Sequence, residues 1–198
     1  MEDPDRAALR RRNVVAVQPI LRALRTSSLG NWIAAVSRQE HVQRYREHLA
    51  LLWRALPPTA HLTRGRGPVA PAKQGAGRPR HIALVVVGTE RGLCGRFNIT
   101  LVEFCEQYLK ELHARGCTVE LVVLGTRAIR LLRARRHLLH SATRLSRSLP
   151  SFEVGSALVR EWLERYEQYT LDSVEVLHAE HRAAGLYAPS VGRLIPPA

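Results

Sequence analysis

The sequence predicts an α/β fold in which a long amino-terminal coiled-coil helix precedes a three-layer, Rossmann-like domain with a mainly parallel sheet. Two observations predict this fold class. Residues 7–56 carry apolar side chains in seven-residue steps, which is typical of a coiled-coil helix. From residue 81 onward, short apolar runs alternate with stretches of helical periodicity, which is typical of parallel strands joined by helices. The expected division is a helix over 1–56, a linker over 57–80 and the α/β domain over 81–198.

The amino-terminal segment is expected to form one helix from Ala7 to Leu56, or two helices separated by a short break. Its apolar positions alternate spacings of three and four residues, and polar residues interrupt this seam between Ser28 and Arg38. A continuous helix would be about 70 Å long at about 1.5 Å per residue, more than the rest of the chain can cover. Much of the seam is therefore expected to pack against another chain or segment. The seam residues expected to contact a partner are Val17, Leu21, Leu24, Val42, Tyr45, Leu49 and Leu52.

The linker and the α/β domain follow in order along the chain. Residues 57–80 are rich in proline, glycine and arginine and have no periodicity, so they are expected to form a mobile linker or surface loop. The domain is expected to contain strands in "HIALVVV", "TVELVVLG" and "SVEVLHAEH". Helices are expected in "NITLVEFCEQYLKELHARG", "TRAIRLLRARRHLL" and "FEVGSALVREWLERYEQYT". The tail "GLYAPSVGRLIPPA" is expected to add a turn and a short edge strand.

Charge and cysteine content limit the classes of function. The net charge of +13 implies an acidic partner, which the charge alone leaves open among nucleic acid, an anionic membrane surface and an acidic protein face. Cys94, Cys105 and Cys117 lack the close spacing of a zinc or redox motif, so reduced thiols are expected. The amino terminus lacks the apolar stretch of a secretory signal, and no run reaches about 18 apolar residues. Any membrane association is therefore expected to be peripheral and indirect.

The loop "GTERGLCGRFN", Gly88–Asn98, lies where an α/β sheet binds its ligands, beyond the end of a strand. Its glycine spacing does not fit a dinucleotide fingerprint, and no acidic residue ends the second strand. Cys94 sits at a strand-to-helix turn, as a nucleophile would, but no histidine is placed as its base. We expect a structural loop, in which glycines permit the turn, Leu93 and Cys94 pack beneath it and Asn98 caps the next helix. A nucleotide-binding or cysteine-dependent enzyme stays an alternative.

Two further patterns in the sequence are candidate binding sites. The His-x-x-His pairs, His137/His140 and His178/His181, are expected to be solvated or capping residues rather than metal ligands. The basic stretch "RAIRLLRARR" is suited to nucleic-acid phosphates, but the chain has only three Phe and no clustered aromatic platform. A solvated helix face, or one facing an acidic protein, is the preferred interpretation, with a nucleic-acid-binding module as the alternative. No cofactor and no metal are expected.

Taken in order, these residues resemble the gamma subunit of F-type ATP synthases. "TERGLCGRFN" is similar to that family's S-D-R-G-L-C-G-G-F/L-N signature, with Glu90 in place of Asp and Arg96 in place of Gly. The amino-terminal "LRRRNVVAVQPILRALRTSS" occupies the place of the family's first long helix, although Pro19 and Gly30 interrupt it here. The carboxy-terminal "EVLHAEHRAAGLYAPSVGRLIPP" is similar to a strand and a proline-containing turn of the family. The family continues from this point into a second, carboxy-terminal long helix, so the chain resembles either a divergent member without that helix or a member whose second helix lies outside this chain.

The resemblance implies a non-catalytic rotor subunit that couples ion flow through a membrane ring to ATP synthesis or hydrolysis. It implies a peripheral location on the cytoplasmic face of a bacterial inner membrane. The implied partners are the alpha and beta subunits, the epsilon subunit and the membrane c-ring. In this scheme Arg22 and Arg25 join the seam residues in facing the ring. The loop residues implied to be structural are Gly88, Arg91, Gly92, Leu93, Cys94, Gly95 and Asn98.

Overall fold

The computed structural model describes residues 4–55, 80–92, 94–145, 152–183 and 186–196. The chain divides into two compact units, residues 1–68 and 69–198. In the first, the described residues form a single helix; in the second, they form a sheet with helices. The predicted linker, residues 57–80, lies outside the described residues apart from Arg80.

Helix α1 runs from Pro4 to Ala55 and has 52 residues, so the predicted long helix is confirmed as one continuous element. It passes through Pro19, which lacks an N–H group to donate to the preceding turn, and through Gly30 without a break. At about 1.5 Å per residue its length is about 78 Å. Within the described residues, none of the helices combines the length and the apolar character that crossing a membrane requires.

The second unit contains a five-stranded sheet with the strand order β3-β2-β1-β4-β5. Strands β1, β2, β3 and β4 run parallel, and β5 pairs antiparallel with β4. The elements are β1 (His81–Val87), α2 (Phe97–Ala114), β2 (Thr118–Leu124), α3 (Thr126–Ala134), β3 (Ser141–Thr143), α4 (Phe152–Glu167), β4 (Ser173–Ala183) and β5 (Leu186–Ile195). The predicted mainly parallel sheet is confirmed.

Helices cover both faces of the sheet. Alternate side chains of β1 point to opposite faces and pack against different helices. Leu84 and Val86 pack in a cluster with residues of α2 and α3, such as Leu101 and Leu132. Ala83 and Val85 pack on the other face with Trp162 of α4. The five central residues of β1 are buried, as the apolar run predicts for a strand covered on both faces. The predicted three-layer arrangement is therefore confirmed.

The sheet contains one strand more than the three central strands and the edge strand expected, and this additional strand, β3, also lies at an edge. Strand β3, Ser141–Thr143, has three small residues and no apolar run, so it gives no periodic signal. Strand β5 has ten residues, so the expected short edge strand is longer than the sequence indicated. Its Pro189 is compatible with an edge position, where the missing N–H group costs no ladder hydrogen bond if it faces outward.

Candidate functional site

The loop between β1 and α2 lies at the topological switch point of the sheet. Strand β1 is flanked by β2 on one side and by β4 on the other, and the chain winds outward in both directions from it. In open α/β sheets the crevice at this point, beyond the carboxyl ends of the strands, is where ligands bind. The described part of the loop comprises residues 88–92 and 94–96; Leu93 lies outside the described residues.

Asn98 lies in the first turn of α2 and holds the loop, while a cavity of about 560 Å³, lined by Thr89, Cys94 and Ala179 among others, stays open beside it. It is buried, its Oδ1 accepts a hydrogen bond from the Thr89 N–H at 3.0 Å, and its Nδ2 donates to Thr89 Oγ1 at 2.8 Å and to Cys94 Sγ at 3.1 Å. The prediction that Asn98 caps α2 is wrong. The capping position is Arg96, which makes no side-chain capping bond, and Asn98 lies inside the helix and holds the loop instead.

Glu90 occupies the amino terminus of α3. Its carboxylate accepts hydrogen bonds from Thr126 Oγ1 at 2.6 Å, from the Thr126 N–H at 3.0 Å and from the Leu145 N–H at 3.2 Å. These donors, with the Thr126 hydroxyl first, hold the pKa of Glu90 below its usual value. A carboxylate at this position satisfies N–H groups that have no partner inside the helix and complements the helix dipole.

Gly88 and Gly125 hold the two strand-to-helix loops in direct contact. The Gly88 N–H donates to the Leu124 carbonyl at 2.8 Å, and the Arg127 N–H donates to the Thr89 carbonyl at 3.0 Å. Gly125 has φ +99°, and a Cβ there would lie 2.8 Å from the carbonyl carbon of Gly88. A Cβ on Gly88 would lie 2.4 Å from the Cβ of Ala128. Glycine is required at both positions by close approach, and at Gly125 by its φ angle as well.

Gly92 and Gly95 are less constrained than the sequence suggested. A Cβ on Gly92 would meet only the guanidinium of Arg127, at 2.6 Å, and this flexible side chain can move aside. Gly95 has φ +54° with no atom within 4 Å of a Cβ, so its restriction is conformational. Glycine is therefore needed more at the contact between the two loops than at Gly92.

Cys94 is held as part of the loop. Its Sγ lies 3.1 Å from Asn98 Nδ2, 3.5 Å from Thr89 Oγ1 and 3.8 Å from the Arg91 carbonyl oxygen. No histidine is among its hydrogen-bond partners within the described ranges. Among the described residues, the thiol therefore accepts a hydrogen bond from a buried amide and has no histidine partner that could act as its base.

We expect Cys94→Ala to lower the free energy of unfolding by about 1 kcal/mol, the contribution of one hydrogen bond. Cys94→Ser, which keeps an acceptor for Asn98 Nδ2, is expected to lose less. Urea denaturation of the three proteins provides the comparison. A loss above about 3 kcal/mol in Cys94→Ala would contradict the view that the bond from Asn98 Nδ2 is the main contribution of the thiol to stability.

The histidine pairs do not converge on a common site. His137 Nε2 lies 2.9 Å from Glu106 Oε1, whereas His140 Nε2 lies 3.4 Å from Glu120 Oε2. His178 Nδ1 lies 3.4 Å from the Val176 carbonyl oxygen, and the His181 side chain is outside the described residues. In the part of the chain that the structure describes, no group of three His, Cys, Asp or Glu residues could hold a metal ion.

The second candidate site is the apolar surface of α1. Its described seam residues are exposed, with fractions that range from 38% for Leu24 to 69% for Val14. Trp32 and Ile33, on an adjacent side, are exposed as well. Arg22 and Arg25 are exposed, while the side chains of Leu49 and Leu52 lie outside the described residues. A run of apolar side chains open to water along one helix is typical of a surface that packs against another chain.

Together, these features define an α/β protein whose loop at the switch point is held by its own side chains and whose long helix has the surface of an assembly element. A family model described as ATP synthase matches residues 6–198, and the chain therefore belongs to that family. The resemblance found in the sequence is confirmed.

Several ATP synthase gamma chains are similar to this chain in sequence. That of Gemmatimonas aurantiaca is 30% identical over 60% of this chain and 41% of its own length. That of Methylobacterium nodulans is 27% identical over 93% of this chain and 63% of its own length. A chain in the Tetrahymena thermophila mitochondrial ATP synthase central stalk and c-ring structure aligns with TM-score 0.45 and 22% identity, over 63% of this chain and 53% of that chain. The chain thus spans about two fifths of the first relative.

Proposed function

We propose that this chain is a gamma-like central-stalk subunit of an F-type ATP synthase. In this role it couples ion flow through a membrane ring to ATP synthesis or hydrolysis and carries out no chemistry itself. The observation that carries the proposal is α1, a continuous 52-residue helix with exposed apolar side chains, in a chain of the ATP synthase family. The loop supports a structural role, because Asn98 and Glu90 use their polar side chains to hold its backbone and the start of α3.

The proposed mechanism is mechanical. Helix α1 would insert into a ring of alternating alpha and beta subunits and present different side chains to each catalytic site as it turns. A shaft alters the nucleotide affinity of a site only through contacts that differ between the states of that site. The side of α1 that carries Val17, Leu21 and Leu24 differs chemically from the side that carries Arg22 and Arg25, so rotation would change the contacts.

Each of the two units has its own proposed partners. The seam residues of α1, with Arg22, Arg25 and Arg44, would face the alpha and beta subunits, and the arginines would pair with acidic surfaces there. The α/β unit would contact the epsilon subunit and the c-ring. The chain would lie peripherally on the cytoplasmic face of a bacterial inner membrane.

Hydrogen exchange of α1 in the free and assembled chain tests this function. Each large apolar side chain left in water forgoes about 1.5–3 kcal/mol, so we expect residues 14–30 to exchange fast in the purified chain. Exchange is expected to slow by at least about tenfold when alpha and beta subunits are added. Slow exchange in a purified monomer, or no protection on addition of the subunits, would overturn the rotor assignment.

A matched pair of variants tests whether the added subunits pack on the seam of α1 or on another side of this helix. Leu21→Asp is expected to abolish the added protection, because it places a carboxylate in the packed seam. Ala23→Asp places the same charge about 160° around the helix from both Leu21 and Arg25 and is expected to retain the protection. Equal loss in both variants would mean that the subunits do not pack on this side of the helix.

A further inference from the structure

Helix α3 and the turn that follows it form a basic surface whose arginines have no ion-pair partners within the described residues. Arg130, Arg133 and Arg136 are exposed, and none forms an ion pair there. The neighbouring carboxylates of α2 are already engaged elsewhere. Glu106 binds Arg135 and His137, at 2.5 and 2.9 Å, and Glu103 lies 3.9 Å from Arg96. The three arginines are thus left free to bind an external group.

An apolar side chain projects beside these arginines. Leu138 is 94% exposed, whereas Ala128, Ile129 and Leu132 of α3 are buried against the sheet. The turn is sharp because Arg136 has φ +64°, a left-handed conformation in which glycine is usual at the end of a helix. The turn therefore carries Arg136 where a glycine would suit the backbone better, and Leu138 follows two residues later. We name Arg130, Arg133, Arg136 and Leu138 the α3 surface.

We propose that the α3 surface docks an acidic protein segment, in which carboxylates bind the arginines and an apolar side chain covers Leu138. Arginine presents a planar fork that fits a carboxylate, and arginine is enriched in protein interfaces. Arg130 and Arg133 are three residues apart on a helix, a spacing that matches carboxylates one turn apart on a partner helix.

Two other classes of partner fit this surface less well. Nucleic acid that binds through single strands needs aromatic side chains for stacking, and residues 126–140 contain no Phe, Tyr or Trp. Stable attachment to lipid needs a larger apolar face than one leucine provides. The α3 surface combines three exposed cations with one exposed apolar side chain, a composition that suits a polar protein contact. The proposal does not rest on the rotor function.

Photo-crosslinking in cells that produce the full chain identifies the partner class directly. Leu138→p-benzoylphenylalanine places a photoreactive group in the centre of the α3 surface. After irradiation, we expect the adduct to map by mass spectrometry to an Asp/Glu-rich segment of another protein. An adduct with lipid or nucleic acid, an adduct on a segment without acidic residues, or no adduct at all would overturn the proposal.

Charge variants show whether the arginines hold that segment. Arg130→Gln, Arg133→Gln and Arg136→Gln together are expected to lower the adduct yield about tenfold, as the loss of three surface ion pairs implies. The control removes the same charge from exposed arginines elsewhere, by Arg11→Gln, Arg12→Gln and Arg160→Gln, and should leave the yield within about twofold. Arg130→Gln alone replaces the triple variant if that variant does not unfold cooperatively. Equal losses in variant and control would overturn the proposal.

Discussion

Gly125→Ala is expected to lower the free energy of unfolding of the α/β unit by about 3 kcal/mol or more. The φ angle of +99° is one that an L side chain rarely adopts, at a cost of about 1–3 kcal/mol. The new Cβ would also meet backbone atoms, the Gly88 carbonyl carbon at 2.8 Å and the Thr89 carbonyl oxygen at 3.0 Å. Neither can move without separating the two loops. Urea denaturation followed by Trp162 fluorescence, with Trp32 and Trp53 replaced by Phe, measures the loss.

Two other glycines serve as controls for this effect. Gly95→Ala is expected to cost only about 1 kcal/mol, because φ is +54° and a Cβ would have no neighbour within 4 Å. Gly155→Ala in α4 is expected to be neutral or stabilising, since alanine favours a helix and has open space there. If Gly125→Ala lost no more than Gly95→Ala, contact between the loops would not limit the stability of this edge of the sheet.

Glu120→Gln is expected to lower the free energy of unfolding by about 2–3 kcal/mol, because Glu120 is a carboxylate shared by several elements. Arg165 of α4 binds it through both guanidinium nitrogens, at 2.8 and 2.6 Å. His81 Nε2 lies 2.8 Å from Oε1, and His140 Nε2 lies 3.4 Å from Oε2. The Glu120 and Arg165 side chains are only 14% and 22% exposed, so solvent replaces these contacts poorly.

The pH dependence of this variant has a defined sign. The bonds from Arg165 hold the pKa of Glu120 below its usual 4.5, so the unfolded chain takes up a proton at a higher pH than the folded chain. The stabilisation is therefore complete above about pH 5 and is lost as the pH falls through the folded pKa. The difference in the free energy of unfolding between the native chain and Glu120→Gln should therefore become smaller as the pH falls through that range. Glu103→Gln, at a site that is 49% exposed, should show a difference of less than about 1 kcal/mol at every pH.

The central strands were predictable because their physical situation leaves a local signal. "HIALVVV" predicts β1 with its observed bounds, His81–Val87, since a strand buried on both faces is apolar at every position. Helix α2 ends at Ala114, with Arg115 as its C-cap, directly before Gly116, where the sequence predicts the stop and where φ is +73°. Helix α3 ends at Ala134, earlier than expected, because Arg136 takes a left-handed conformation. A glycine is usual at such a position, and since the sequence has an arginine there it gives no signal of the helix end.

The interactions within the loop were not predictable to the same extent. Glu90 binds the N–H groups of Thr126 and Leu145, which are 36 and 55 residues away in the sequence, so only the folded sheet brings them together. The sequence places Asn98 next to the start of a helix, which predicts a capping role. In the structure Asn98 lies inside the helix and is buried. One signal was available for Glu90. It is an acid in a strand-to-helix loop of a parallel sheet, where the neighbouring helix also begins.

The carboxylate of Glu90 amounts to a ligand supplied by the chain itself. The amino terminus of a helix at the open edge of a parallel sheet attracts a soluble anion, and here a covalently tethered anion takes that position. A tethered group is present at the same concentration whatever the composition of the cell, so the geometry of this edge does not vary with the supply of a metabolite. At the amino terminus of α3, the tethered carboxylate of Glu90 therefore takes the hydrogen bonds of the Thr126 and Leu145 N–H groups that a soluble anion would otherwise accept.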